Sequence, residues 1–180
     1  MKTSFYTETE LSQLGLKSYG ENVHISRYAQ IYSPEKISIG DNVRIDDFCI
    51  LSGKITIGSH IHIAAYCAMY GADYSIVMED YTGLSARATI YAAMDDFSGD
   101  YLIGPIHDSN VTNVTGGTIK IGAYAQIGAG GLVFPGVCIG EGAVLGAMSM
   151  AKQSLEPWNI YVGIPAKKIK QRSTGLLNLI

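Results

Sequence analysis

The chain has 180 residues, 47% of them hydrophobic, and a formal net charge of −3, enough for one well-buried domain. No basic cluster exceeds AKKIK at residues 166–170, which argues against nucleic acid as a partner. No apolar run approaches the roughly 18 residues that span a bilayer, and MKTSFYTETE lacks a signal-peptide core, so a soluble, cytoplasmic protein with no membrane span is expected.

Thr7 and Glu10 are spaced as a capping box, with Leu11 and Leu14 supplying an apolar side, which predicts a short helix over residues 7–16. It falls in an N-terminal cap segment, residues 1–18, that would cover the open end of the domain beyond it. From residue 19 a six-residue period takes over. It enters at Tyr19, Ile25 and Ile31, slips by two residues near Pro34, and then runs through Ile39, Ile45, Leu51, Ile57, Ile63 and Met69. After a small insertion at residues 71–74 the frame resumes at Met78, Leu84 and Ile90. It is clearest at Ile121, Ile127, Val133, Ile139 and Leu145, four of which are followed directly by Gly122, Gly128, Gly140 and Gly146. A small or β-branched residue stands four places after each, at Ala125, Gly131, Val137, Ala143 and Ser149.

A period of six fits neither a helix nor a simple strand alternation. It fits an all-β solenoid in which each hexapeptide is a short strand plus a corner and three make one triangular coil. Coils then stack about 4.8 Å apart, and each depends on its neighbours for burial. The glycines are expected at backbone conformations that a Cβ would penalise. Cys49, Cys67 and Cys138 are too few for a disulfide framework; all three are expected at the inward small position, Cys49 and Cys67 one coil apart.

The repeat domain spans residues 19–156. Residues 94–117 interrupt it without a hexapeptide signal and should leave one corner and return to the same corner as a projecting loop. Beyond Leu145 the pattern fades, and a C-terminal turn and tail, residues 157–180, is bracketed by Pro157 and Pro165.

IGAGGLVFPGVCIGEGAVLGAMS followed by GIPAKKIK resembles the terminal coils and the G-x-P-A-[KR] turn of the hexapeptide-repeat acyltransferases, left-handed β-helix enzymes that assemble as trimers. The likeness runs from about Tyr19 to Lys170, and within the family it is nearest to sugar acetyltransferases of the galactoside O-acetyltransferase and surface-polysaccharide kind. It implies a left-handed parallel β-helix, a homotrimer, and acetyl-CoA as donor in a cleft between subunits, with no metal required. By the same resemblance, Ala129 and Ala147 would offer backbone contacts to the pantetheine arm. Lys152 or Gln153 would lie near the pyrophosphate, and Lys167 and Lys170 would meet the nucleotide phosphates.

The family's catalytic histidine, at the root of the projecting loop, is replaced here by Asp95 in YAAMDDFSGD. Candidate bases are therefore His62, expected to point outward from a coil, and Asp95 with Asp96, although carboxylates, with a reference pKa of about 4, are weak bases. His107 lies in the loop; His24 and His60 read as exposed. If no base is needed, an amino-sugar acceptor becomes attractive, because a neutral amine attacks a thioester without prior deprotonation. Tyr70, Tyr74, Tyr91 and Tyr101 are plausible stacking surfaces for a sugar. The expected function is acetyl transfer to a saccharide hydroxyl in surface-polysaccharide or O-antigen synthesis. The alternatives are N-acetylation of a nucleotide-linked amino sugar and a catalytically silent trimeric scaffold. His60 and His62 diverge on alternate faces, unlike the zinc-binding histidines of γ-type carbonic anhydrases, and no repeated threonine array suggests an ice-binding surface.

Overall fold

A computed structural model describes residues 4–179; Met1–Thr3 and Ile180, which close the expected N- and C-terminal segments, lie outside the described residues. The repeat builds a left-handed parallel β-helix with three faces. The second face is the clearest, with His24–Ile25, Val43–Ile45, Ile61–Ile63, Gly83–Leu84, Gln126–Ile127, Val144–Leu145 and Asn159–Gly163 stacked in that order. The long strands Ile50–Ile57 and Ala68–Met78 each cross from the third face to the first. Equivalent residues pair one coil on, as in Gln126↔Val144 and Ile127↔Leu145.

Burial follows the six-residue period. Ile39, Ile45, Leu51, Ile57, Ile63 and Met69 are buried, as are Ile121, Ile127, Val133, Ile139 and Leu145. Removing an aliphatic side chain of this size from water stabilises the fold by about 1.5–3 kcal/mol. Cys49 and Cys67 fill the same interior column. Cys138 is exposed, contrary to expectation: Val137 takes the inward small position, and alternation along Cys138–Ile139 turns the cysteine out.

The repeated glycines also serve a different purpose from the one expected. None of Gly122, Gly128, Gly140 and Gly146 has a positive φ. A Cβ on Gly128 would instead lie 2.5 Å from the Ala147 nitrogen, so the requirement is close approach to the next coil. Left-handed conformations fall elsewhere in the corners, at Phe48, Tyr66, Arg87 and Gly130 on the second corner and at His60, Tyr81 and Tyr124 on the first.

At the N-terminus, Thr7 and Glu10 form the capping box: the Thr7 N–H donates to Glu10 Oε2 at 2.7 Å and the Glu10 N–H to Thr7 Oγ1 at 3.3 Å. The helix is short, Glu8–Ser12, and buries Leu11 against the first coil. At the other end the solenoid runs past Pro157, because Asn159–Gly163 still pairs in parallel with Val144–Leu145. The chain reverses only at residues 164–165, returning as Ala166–Gln171 antiparallel to that last strand. No helix among the described residues is long and apolar enough to cross a membrane.

Candidate active site

Residues 93–117 leave and rejoin the solenoid at its third corner, between the third and first faces. Ala93–Asp95 pairs antiparallel with Val114–Gly116, and the Gly117 N–H donates to the Ala92 carbonyl at 2.9 Å, closing the root. This is the expected projecting loop, now resolved as a hairpin at its base.

Asp95 ends the first root strand and is half-buried. Its Oδ1 accepts from the Gly104 N–H at 3.3 Å, which leaves Oδ2 without a hydrogen-bond partner among the described residues. The carboxylate borders two recesses. One, of about 390 Å³, lies over the third face and is walled by Tyr91, Met94, Phe97, Leu132 and Phe134. The other, of about 310 Å³, lies under the hairpin and includes Gly104, His107 and Thr112. One fixed oxygen and one open oxygen suit a group that accepts a hydrogen bond or proton from a ligand.

Asp96 is committed to the loop itself. Its Oδ1 accepts from the Ser98 N–H at 2.6 Å and its Oδ2 from Asn113 Nδ2 at 2.8 Å. The hydrogen bonds from Ser98, then Asn113, hold its carboxyl below the usual aspartate range.

His62 points outward, on the second face. Its Nε2 lies 2.8 Å from Asp46 Oδ2, and Arg44 Nε donates to the other oxygen of Asp46 at 2.7 Å. Partial burial works against the Asp46 charge, but the hydrogen bonds and charges of His62 and Arg44 together outweigh it and hold the carboxyl below its ordinary value. Within one subunit His62 and Asp95 therefore occupy different sides of the prism. His60 stacks on Tyr81 at 4.6 Å between ring centroids, and His24 Nε2 is 2.9 Å from Asn22 Oδ1. Of the tyrosines, Tyr70 stacks on Tyr91 at 5.1 Å on the third face beside the larger recess, Tyr74 packs against Gly116, and Tyr101 stands exposed on the hairpin.

The residues expected to hold coenzyme A divide between two corners. Ala129 and Ala147 are exposed and lie one above the other at the second corner, where the Met148 N–H donates to the Ala129 carbonyl at 2.8 Å. Neither alanine N–H has a partner among the described residues, so both are open to a ligand carbonyl. Above them Gly146 carries the end of Asn159–Gly163. Lys167 and Lys170 stand exposed on the returning strand, opposite Val162 and Ile160, without a carboxylate partner among the described residues; Lys168 between them pairs with Glu156 at 3.1 Å. A polyphosphate chain fits such an end, where ammonium groups form charge-assisted hydrogen bonds. Lys152 and Gln153 lie instead toward the third corner, Lys152 with its Nζ 5.7 Å from the Phe134 ring centroid.

Comparison with known proteins gives this arrangement a context. No family model matches the chain. It is 44% identical over 179 residues, 98% of this chain and 93% of the relative, to a dTDP-4-amino-4,6-dideoxy-D-glucose acyltransferase of Escherichia coli. The chain belongs to the hexapeptide-repeat acyltransferases. It is also similar to AntD, an N-acyltransferase from Bacillus cereus solved with dTDP and 3-hydroxybutyryl-CoA, at 52% identity and a TM-score of 0.97 over 99% of this chain and 95% of that one. A serine variant of AntD, solved with dTDP-4-amino-4,6-dideoxyglucose and coenzyme A, matches equally well in fold, at 51% identity and TM-score 0.97 over 99% and 96% of the two chains. The protein is thus an acyl-CoA-dependent acyltransferase, and its relatives favour amine acylation over the expected transfer to a saccharide hydroxyl.

One residue passed over in the sequence gains interest from its position. Ser85 opens the second corner, where its Oγ accepts from Gln126 Nε2 at 3.1 Å. It follows Leu84, in a coil where Glu79, Ser85 and Tyr91 stand at the places that carry glycine elsewhere, so nothing in the repeat marked it.

Proposed function

We propose that the protein transfers an acyl group from a coenzyme A thioester to the amino group of a dTDP-linked amino-deoxy sugar, in a homotrimer whose sites lie between subunits. The observation that carries this reading is the Asp95 carboxylate, with one oxygen held by the hairpin and the other open beside two recesses. An amino sugar arrives as an ammonium ion near neutral pH. Asp95 accepts a hydrogen bond from this ammonium and takes one proton, which frees the nitrogen lone pair; the neutral amine attacks the thioester carbonyl, the C–N bond forms, the C–S bond breaks, and the second proton passes from the nitrogen to the departing thiolate.

AntD has been solved as variants of one serine and of one aspartate ten residues apart. Ser85 and Asp95 are also ten apart and fall within one position of that pair along the chain. In one subunit they belong to different corners, so both can touch one acceptor only if a second copy supplies one of them. The acyl group is taken to include chains longer than acetyl, in line with the 3-hydroxybutyryl-CoA bound by AntD. Ala129, Ala147, Lys167 and Lys170 would hold the donor along one corner.

The test is thiol release from acetyl-CoA and 3-hydroxybutyryl-CoA with dTDP-4-amino-4,6-dideoxyglucose and with simple sugars as acceptors. Release with the nucleotide amino sugar and not with neutral sugars supports the reading; release with neutral sugars alone restores hydroxyl acylation.

A further inference from the structure

Gly83 is out of keeping with its place in the solenoid. The outward positions of the second face carry His24, Arg44 and His62 on the coils before it and Gln126 on the coil after it, all in one parallel ladder. Gly83 has no positive φ, so backbone freedom does not call for it. Space does: a Cβ there would lie 2.5 Å from Gln126 Oε1 and 3.3 Å from both Cδ and Nε2 of the same amide. The Gln126 side chain lies across Gly83, in a seat that any other residue would fill.

The contacts of the amide show what the seat is for. Nε2 donates to the Ser85 hydroxyl at 3.1 Å and to the Ile127 carbonyl at 3.3 Å. A carbonyl oxygen only accepts, so the end of the amide that faces Ile127, and with it Ser85, is the nitrogen. The backbone of Ser85 is also committed. Its N–H donates to the Ile127 carbonyl at 2.9 Å, and its own carbonyl accepts from the Ala88 N–H at 3.2 Å and the Cys67 thiol at 3.1 Å. With one lone pair of Oγ taken by Gln126, the hydroxyl hydrogen must turn away from the amide. Among the described residues it meets no acceptor. Ser85 shares its corner with the open N–H groups of Ala129 and Ala147, and the Gly130 N–H joins the two coils by donating to the Ala86 carbonyl at 3.0 Å.

We propose that Gln126 is a positioning residue for acyl transfer: by donating to Ser85 it fixes that hydroxyl as a hydrogen-bond donor to the carbonyl oxygen of the bound thioester. The proposal rests on the acyltransferase reading above, with the thioester lying along this corner. As the nitrogen attacks, the carbonyl π pair moves onto oxygen. The Ser85 hydroxyl donates a hydrogen bond to that oxyanion and keeps its proton, and the pair returns as the C–S bond breaks. A donor aimed beforehand needs no reorganisation when the charge develops. A serine free to rotate would point its hydrogen elsewhere part of the time.

The test is a double-mutant cycle read as kcat and KM for thiol release with dTDP-4-amino-4,6-dideoxyglucose, over wild type, Gln126→Glu, Ser85→Ala and the pair. A glutamate carboxylate keeps the shape but only accepts, so it turns the Ser85 hydrogen inward. Gln126→Glu should lower kcat at least about tenfold, within the about 10²–10³-fold that one oxyanion donor supplies, and leave KM for the acyl-CoA within about twofold of wild type. In the Ser85→Ala background the same change should cost less than about twofold, because no hydroxyl is left to orient. Gly83→Ala, whose methyl displaces the amide, should repeat the pattern, and it carries the result if Gln126→Glu fails to fold by circular dichroism. Full kcat in Gln126→Glu overturns the proposal. So does an equal loss with and without Ser85, which would give Gln126 a role of its own, and so does a rise in KM alone, which would make it a ligand contact. A wild type that releases no thiol with this acceptor removes the acyltransferase reading and the proposal with it; an active wild type whose Gln126→Glu variant is unaltered removes only the positioning role.

Discussion

The coils after residue 119 and the hairpin that precedes them are held by different means. In the coils, Ile121, Ile127, Ile139 and Leu145 are completely buried, each stacked on an equivalent one turn away. From residue 93 to residue 118 not one side chain is buried, and Phe97 and Ile106 stand 71% and 86% exposed. Apolar stacking makes the solenoid rigid, whereas the hairpin is tied by root pairing and by the hydrogen bonds of Asp95 and Asp96. The proposed chemistry sits at the seam, with Asp95 close enough to the rigid corner to be placed and close enough to the hairpin to be covered.

The sharpest way to test that division is at the seam itself. Asp95→Asn keeps the shape and removes the proton acceptor, and it should lower kcat for amine acylation by about 10²–10⁴-fold with an unchanged melting temperature; full activity would end the assignment. The next largest effect separates the two supports. Ile127→Ala opens a cavity in the stack and should cost about 2–5 kcal/mol in denaturant titration, while Ile106→Ala on the hairpin should stay within about 0.5 kcal/mol of wild type.

Gly128→Ala probes the contact between coils, since its methyl would meet the Ala147 backbone; a loss of about 1–3 kcal/mol is expected, and a neutral result would mean the coils can part. Asn113→Ala removes one of the Asp96 contacts and should speed proteolysis within residues 93–118 without moving the melting temperature.

The smallest effect concerns pH. Lys120 Nζ lies 2.7 Å from Glu79, and the Ala123 N–H donates to the same carboxylate at 3.0 Å. The hydrogen bond from Lys120 holds the Glu79 carboxyl below its ordinary 4.5. The native form therefore binds its proton less readily than the unfolded chain. Its contribution, below about 1 kcal/mol for so exposed a pair, is present above pH 4.5 and disappears as pH falls through the lower native value. Melts of Glu79→Gln against wild type should differ at pH 7, and the difference should shrink as the pH is taken below 4.5.

Much of this molecule could be read without coordinates because a hexapeptide solenoid writes its core locally. Ile121 and Ile127 declare the inward column, Thr7 and Glu10 declare the cap, and the silence of residues 94–117 declares the excursion. The errors came where two local signals competed: Cys138 against Val137 for one inward place, and Pro157 against the parallel pairing of Asn159–Gly163. The site was legible only in pieces. Asp95 was found because it departs from the family's histidine, but its difference from Asp96 lies in which oxygens the hairpin already occupies. Ser85 and Gln126 carry no mark in the repeat. The sequence by itself determined the solenoid, whose core depends on contacts between a residue and its equivalent one period away, and through its resemblance to the family it pointed to the acyl donor. Tertiary structure alone decided which side chains share a corner and which carboxylate oxygen stays open, because those depend on how coils and hairpin meet across many residues of intervening chain.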